Sequence, residues 1–96
     1  MRRAKAETLD DILGRLLRQQ GLETPLNEYR LKAAWGDVAG RVVEQYTSSV
    51  QIYNQVLYVK LSSPALRANL MMVKTDLITR LNEHVGAQVI VNIVFK

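Results

Sequence analysis

Val50-Gln51-Ile52-Tyr53-Asn54-Gln55-Val56-Leu57-Tyr58-Val59-Lys60-Leu61 alternates in character along two successive runs. In the first, Val50 and Ile52 alternate with Gln51 and Tyr53. In the second, Leu57, Val59 and Leu61 fall on one side and Val56, Tyr58 and Lys60 on the other. Side chains of a strand point alternately to opposite faces, so a period of two on either side of a short polar pair predicts a hairpin turning at Asn54-Gln55. The face with Leu57, Val59 and Leu61 is apolar and needs a cover. The opposite face carries tyrosine and lysine, joined by Tyr53 or by Ile52 according to register.

The cover comes from the flanking segments. Ser62-Ser63-Pro64 supplies a loop, a capping hydroxyl and a proline suited to the first helical position. Leu66, Leu70, Val73, Leu77, Leu81 and His84 then recur at steps of three and four, which predicts one long helix over 64–85, closed by Gly86. Asn69, Asp76 and Glu83 lie opposite that stripe, Arg67 and Lys74 on one shoulder of it, and Arg80 on the other. Val89 to Phe95 reads as the last strand, with Val89, Val91, Ile93 and Phe95 on one face and Ile90 and Val94 on the other. Before the hairpin, Thr8 precedes the helical stripe Leu9, Ile12, Leu13, Leu16 and Leu17, with Gly21 just beyond. This predicts a helix over about 8–20, its first turn favoured by Asp10 and Asp11. Thr24-Pro25 opens a second helix over about 25–39, continuing less regularly to Tyr46, with the buried stripe Leu31, Trp35, Val38 and Val42. Gly36 and Gly40 lie opposite that stripe, either admitting a close neighbour or weakening the helix end.

The expected order is α-α-β-β-α-β. It makes a two-layer α+β fold, with a three-stranded sheet packed against helices as a single domain over 8–96. Residues 1–7, with Arg2, Arg3 and Lys5, read as a basic, flexible N-terminus. They are followed by Glu7, Asp10 and Asp11 rather than an apolar run, which is not the pattern of a signal peptide. No apolar run approaches the roughly 18 residues of a membrane span, so a cytoplasmic domain is expected.

Composition narrows the chemistry. The 96 residues contain no cysteine, which excludes thiol catalysis, thiolate metal sites and disulfides. A single histidine, His84, sits late in a helical stripe, and Asp10 and Asp11 are adjacent and so point to different helix faces. No catalytic residue, no metal site and no cofactor is expected. Gly36-Asp37-Val38-Ala39-Gly40 has no lysine and follows no strand, so it is not a phosphate-binding loop. The net charge is +4, with 13 Lys and Arg against 9 Asp and Glu, which suits a polyanion as well as a solubilising surface. If Leu57, Val59 and Leu61 face the helices, Val56, Tyr58 and Lys60 lie on the open face. Tyrosine with lysine there suits base stacking, and equally suits a half-exposed strand. The expected DNA contacts are phosphate-dominated, through Lys60, Arg67 and Lys74 with Tyr58, assisted by Arg2, Arg3 and Lys5. Ile90, Val94 and Val56 are the expected apolar partner surface, covered by a protein partner, by a second copy in a weak homodimer, or by the N-terminal helices.

Trp35-Gly36-Asp37-Val38-Ala39-Gly40 resembles the W-x-x-V-(V/A)-G signature of the DciA family. The likeness continues through Leu57-Tyr58-Val59-Lys60-Leu61-Ser62-Ser63, Leu66-Arg67-Ala68-Asn69-Leu70 and Leu81-Asn82-Glu83-His84-Val85-Gly86. It ends with Val89 to Phe95 and so covers roughly residues 8–96. The resemblance implies a bacterial protein that helps load the replicative helicase DnaB, with a core similar to a KH domain that binds DNA and the helicase. Many family members carry tryptophan where this chain has Leu66 and glutamate where it has Asn69, and many have long terminal extensions. No G-x-x-G separates two helices, since 64–85 reads as one, so the backbone clamp of KH domains on four nucleotides is not expected. The alternative is a protein-interaction module without a nucleic-acid role.

Overall fold

The computed structural model describes residues 8, 11–13, 15–16 and 23–96. Residues 11–13 and 15–16 are helical. They are followed by α1 (Glu23–Ala39), α2 (Arg41–Gln45), β1 (Thr47–Tyr53), β2 (Val56–Leu61), α3 (Pro64–Met72), α4 (Lys74–Val85) and β3 (Asn92–Phe95). The fold is α+β in the expected order α-α-β-β-α-β, with the second and third helical regions each divided in two.

The first helical segment begins as its sequence dictates. The Thr8 hydroxyl accepts from the Asp11 N–H at 3.1 Å, and the Asp11 carboxylate accepts from the Thr8 N–H at 3.2 Å. This reciprocal cap satisfies two amide groups that a helix start leaves without partners. Ile12, Leu13 and Leu16 of its apolar stripe are 46%, 40% and 46% exposed. Leu9 and Leu17 lie outside the described residues, as does the basic 1–7 segment.

Helix α1 buries Leu31, Ala34 and Trp35. It stops at Gly40, whose φ of 107° and ψ of 158° belong to a region that residues with a Cβ avoid. The chain restarts as α2 in a new phase, which turns Val43 inward and leaves Val42 63% exposed. The stripe expected to end on Val42 therefore ends on Val43. No atom lies within 4 Å of the position a Cβ would take at Gly40, so the cost of a side chain there is conformational alone. Gly40→Ala is expected to destabilise the domain by about 1–3 kcal/mol without changing the folded circular dichroism spectrum; unchanged urea stability would refute this. Gly36 has a different role: the Glu44 carboxylate of α2 lies where its Cβ would be.

Strand β2 is central. It pairs antiparallel with β1 and parallel with β3, in the order β1-β2-β3. Asn54 and Gln55 both have positive φ, 55° and 66°, the conformation that matches a two-residue turn to strand twist. Leu57, Val59, Leu61 and Ile93 from the sheet meet Leu31 and Trp35 of α1, Leu70 of α3, and Leu77 and Leu81 of α4 in one core. The Trp35 ring lies 6.4 Å from that of Phe95. Its indole N–H donates to the Thr47 hydroxyl at 3.0 Å, which donates to the Val43 carbonyl at 2.7 Å. The buried indole thus retains a hydrogen-bond partner.

The helical layer differs from the sequence reading at one point. Residues 64–85 form two helices, not one. Ser63 caps the first, its hydroxyl accepting from the Leu66 N–H at 3.2 Å. At Val73, φ −114° and ψ 20°, the N–H donates to Leu70 three residues back and the helix restarts. Leu66, Leu70, Leu77 and Leu81 still point inward, but Val73 is 45% exposed and His84 is exposed. The junction Met72-Val73-Lys74 contains no glycine, so the chain has two helices here without a G-x-x-G between them. Gly86 closes α4 in the left-handed conformation, φ 86°.

Candidate nucleic-acid interface

Helices cover one side of the sheet, and cross-strand rows order the other. Ser49 faces Lys60, Gln51 faces Tyr58, and Tyr53 faces Val56 across the hairpin. Parallel pairing extends the last two rows to Val94 and Asn92. The Leu61 N–H donates to Lys96 O at 2.9 Å, and the Lys96 N–H donates to Val59 O at 2.8 Å. These bonds bracket Lys60, so Lys96 completes the first row beside it. The open face therefore reads Ser49–Lys60–Lys96, Gln51–Tyr58–Val94 and Tyr53–Val56–Asn92.

The charged side chains of this face have one sign. No Asp or Glu occurs between Thr47 and Leu61 or between Gly86 and Lys96. Lys60 and Lys96 thus share a row without an acidic side chain on the sheet, each on a flexible stem that can turn its ammonium toward an anion. The Lys96 ammonium lies 5.1 Å from the centre of the Tyr58 ring. Ser49, Gln51, Tyr58, Lys60 and Lys96 together line an open depression of about 370 Å³.

Other expected contacts are placed elsewhere. Arg67 and Lys74 lie on the helical layer, half-buried. The break at Val73 puts them on separate helices rather than on one shoulder. On an exposed face of the same layer Arg80 pairs with Asp76 at 3.7 Å, and neither Arg67 nor Lys74 shares that pair. Arg2, Arg3 and Lys5 lie outside the described residues.

The apolar trio divides. Val56 and Val94 are half-buried on the open face. Ile90 is not: it is fully buried in the core and so is withdrawn from the partner surface. The expected strand from Val89 is really β3 from Asn92, because the Asn82 carboxamide of α4 captures the preceding chain. It accepts from the Val89 and Ile90 N–H groups at 2.9 and 3.1 Å, and donates to the Ile90 carbonyl at 2.9 Å. That fold of the backbone turns Val89 and Ile90 both inward and leaves Val91 52% exposed.

Sequence reasoning overlooked Lys96, Gln51 and Ser49. The signal for Lys96 was its parity with Asn92 and Val94, two and four residues earlier, which places it on their face. Among the described residues no group of His, Asp and Glu is arranged to hold a metal ion, and no helix is long and apolar enough to cross a membrane.

Residues 8–95 match the model of the family described as Dna[CI] antecedent, DciA. No curated protein and no solved structure matches the chain significantly.

Proposed function

We propose that this chain, which belongs to the DciA family, is a non-enzymatic replication factor of the bacterial cytoplasm. In this reading it binds DNA at the nucleoid and assists loading of the replicative helicase DnaB. The family is one of helicase loaders in bacterial replication, and that supports the helicase partner. The observation that carries the DNA contact is the acid-free sheet face with its paired lysines, Lys60 and Lys96. Arg67 and Lys74 on the helical layer, and the Arg2, Arg3 and Lys5 segment, add phosphate contacts. Val56 and Val94 supply the apolar part of the surface offered to the helicase. The domain spans residues 8–96.

Two measurements test this. Size-exclusion chromatography with purified helicase is expected to give a co-eluting complex that persists after nuclease treatment; separate elution would remove the helicase from the proposal. On DNA, charge reversal of Arg67 and Lys74 to glutamate should weaken binding alike for all sequences. It should also lower the salt slope on duplex by about 0.9 for each phosphate no longer neutralised. A wild-type chain without measurable DNA affinity at about 50 mM salt, where phosphate-dominated binding is strong, would end the DNA reading.

A further inference from the structure

We infer that the open sheet face is a site for single-stranded nucleic acid, in which a base stacks on Tyr58 and the adjoining phosphate lies between Lys60 and Lys96. The inference rests on the DNA-binding reading above and adds to it the form of the strand and the position of one nucleotide. Its warrant is the combination of groups within the depression of about 370 Å³. Tyr58 lies on the central strand, Lys60 and Lys96 occupy the neighbouring row, and Gln51 pairs directly across from Tyr58. Stacking accepts any base because every base has a π face, whereas paired bases in a duplex keep theirs against each other. A sheet surface reads splayed, unstacked nucleotides for that reason.

The Lys96 ammonium over the Tyr58 ring sets the order of events. A base arriving at Tyr58 takes the place that this cation occupies. The lysine stem is flexible, so the displaced ammonium swings toward its row partner Lys60, where one phosphate joins the two charges. Lys96 is therefore a placeholder on the empty ring and a phosphate ligand on the occupied one. No bond is made or broken.

The test compares a fluorescent oligothymidylate with a duplex of equal length, read by anisotropy over a salt series. Tyr58→Leu should weaken oligothymidylate binding at least about fivefold, the lower end for removing one base stack. It should leave duplex affinity and both salt slopes unchanged, and Tyr58→Phe should bind as the wild type does. Lys96→Gln, at the exposed rim, should lower the single-strand slope by about 0.7, the value for one neutralised phosphate. Photocrosslinking of the unaltered protein to a bromouracil-containing oligonucleotide should place the adduct on Tyr58, a result that does not depend on any variant folding.

Equal losses on both substrates, or no loss on either while the wild type binds both, would overturn the site. So would an adduct on α3 or α4. A Tyr58→Leu protein that keeps its DNA affinity but no longer co-elutes with the helicase would make the face a protein-docking surface, leaving DNA binding intact. If the wild type binds neither nucleic acid, the broader DNA reading fails with the site.

Discussion

Trp35→Ala should lose about 3–5 kcal/mol of stability, the range for truncating a large buried aromatic. Single domains commonly have about 5–15 kcal/mol in total, so the variant should lose a large share of its stability, and a domain at the low end of that range would be brought to the edge of unfolding. Trp35 is only 2% exposed and lies where α1, the start of β1 and the end of β3 meet. Truncation removes its packing against Phe95 and its hydrogen bond to Thr47 together. Trp35→Phe keeps most of the volume and loses the N–H, so its penalty should be about 1–2 kcal/mol. Circular dichroism during urea denaturation measures both. A Trp35→Ala protein with a wild-type midpoint would show that the core does not depend on this residue.

The second large effect is expected at a polar residue. Asn82→Ala removes three hydrogen bonds from the backbone of Val89 and Ile90. The freed N–H and C=O groups lie beside two buried side chains and are only partly reached by water. The expected loss is about 2–4 kcal/mol, slightly offset by the better helix propensity of alanine. Asn82→Asp keeps an acceptor for the two N–H groups but turns the donor facing the Ile90 carbonyl into a second oxygen. It should fall between wild type and alanine. Native-state hydrogen exchange at the Val89 and Ile90 amides should accelerate in both variants. Protection unchanged in Asn82→Ala would show that the loop is held by its apolar side chains alone.

The two residues contrast in what a sequence reveals. Trp35 is on a helical stripe, and its burial follows from spacing. The hairpin follows equally from its period of two, and the starts at Thr8 and Ser63 follow from hydroxyls placed to cap a helix. Asn82 carries no such signal, because its partners are backbone atoms seven and eight residues on, fixed only once the loop has folded. Without those hydrogen bonds, the run from Val89 to Phe95 reads as one long strand, and parity puts Ile90 on the wrong face. The exchange of Val42 for Val43 has a similar origin. A glycine within a helical pattern can be a weakness or a stop, and only the backbone at Gly40 decides which. At Val73 neither proline nor glycine marks the break. The stripe continues through it in sequence while the helix does not. For the open face, Tyr58 and Lys60 were legible from the hairpin. Their meeting with Lys96 required the parallel register of β2 and β3.

That register also governs when the surface comes into being. Hairpin β1–β2 is a local structure, whose elementary closure takes about 1–10 μs. Lys60 and Lys96, by contrast, are separated by both helices of the crossover, and contacts so distant in sequence form slowly because loop closure must precede them. A partly folded chain therefore displays Tyr58 and a single lysine beside an unpaired strand edge, which is a template for aggregation rather than a docking surface. Lys60 and Lys96 become neighbours only after β3 has closed against β2. Loss of β3 by local opening would erase the phosphate position while leaving the hairpin in place, so nucleic acid held there should in turn slow amide exchange across the β2–β3 seam.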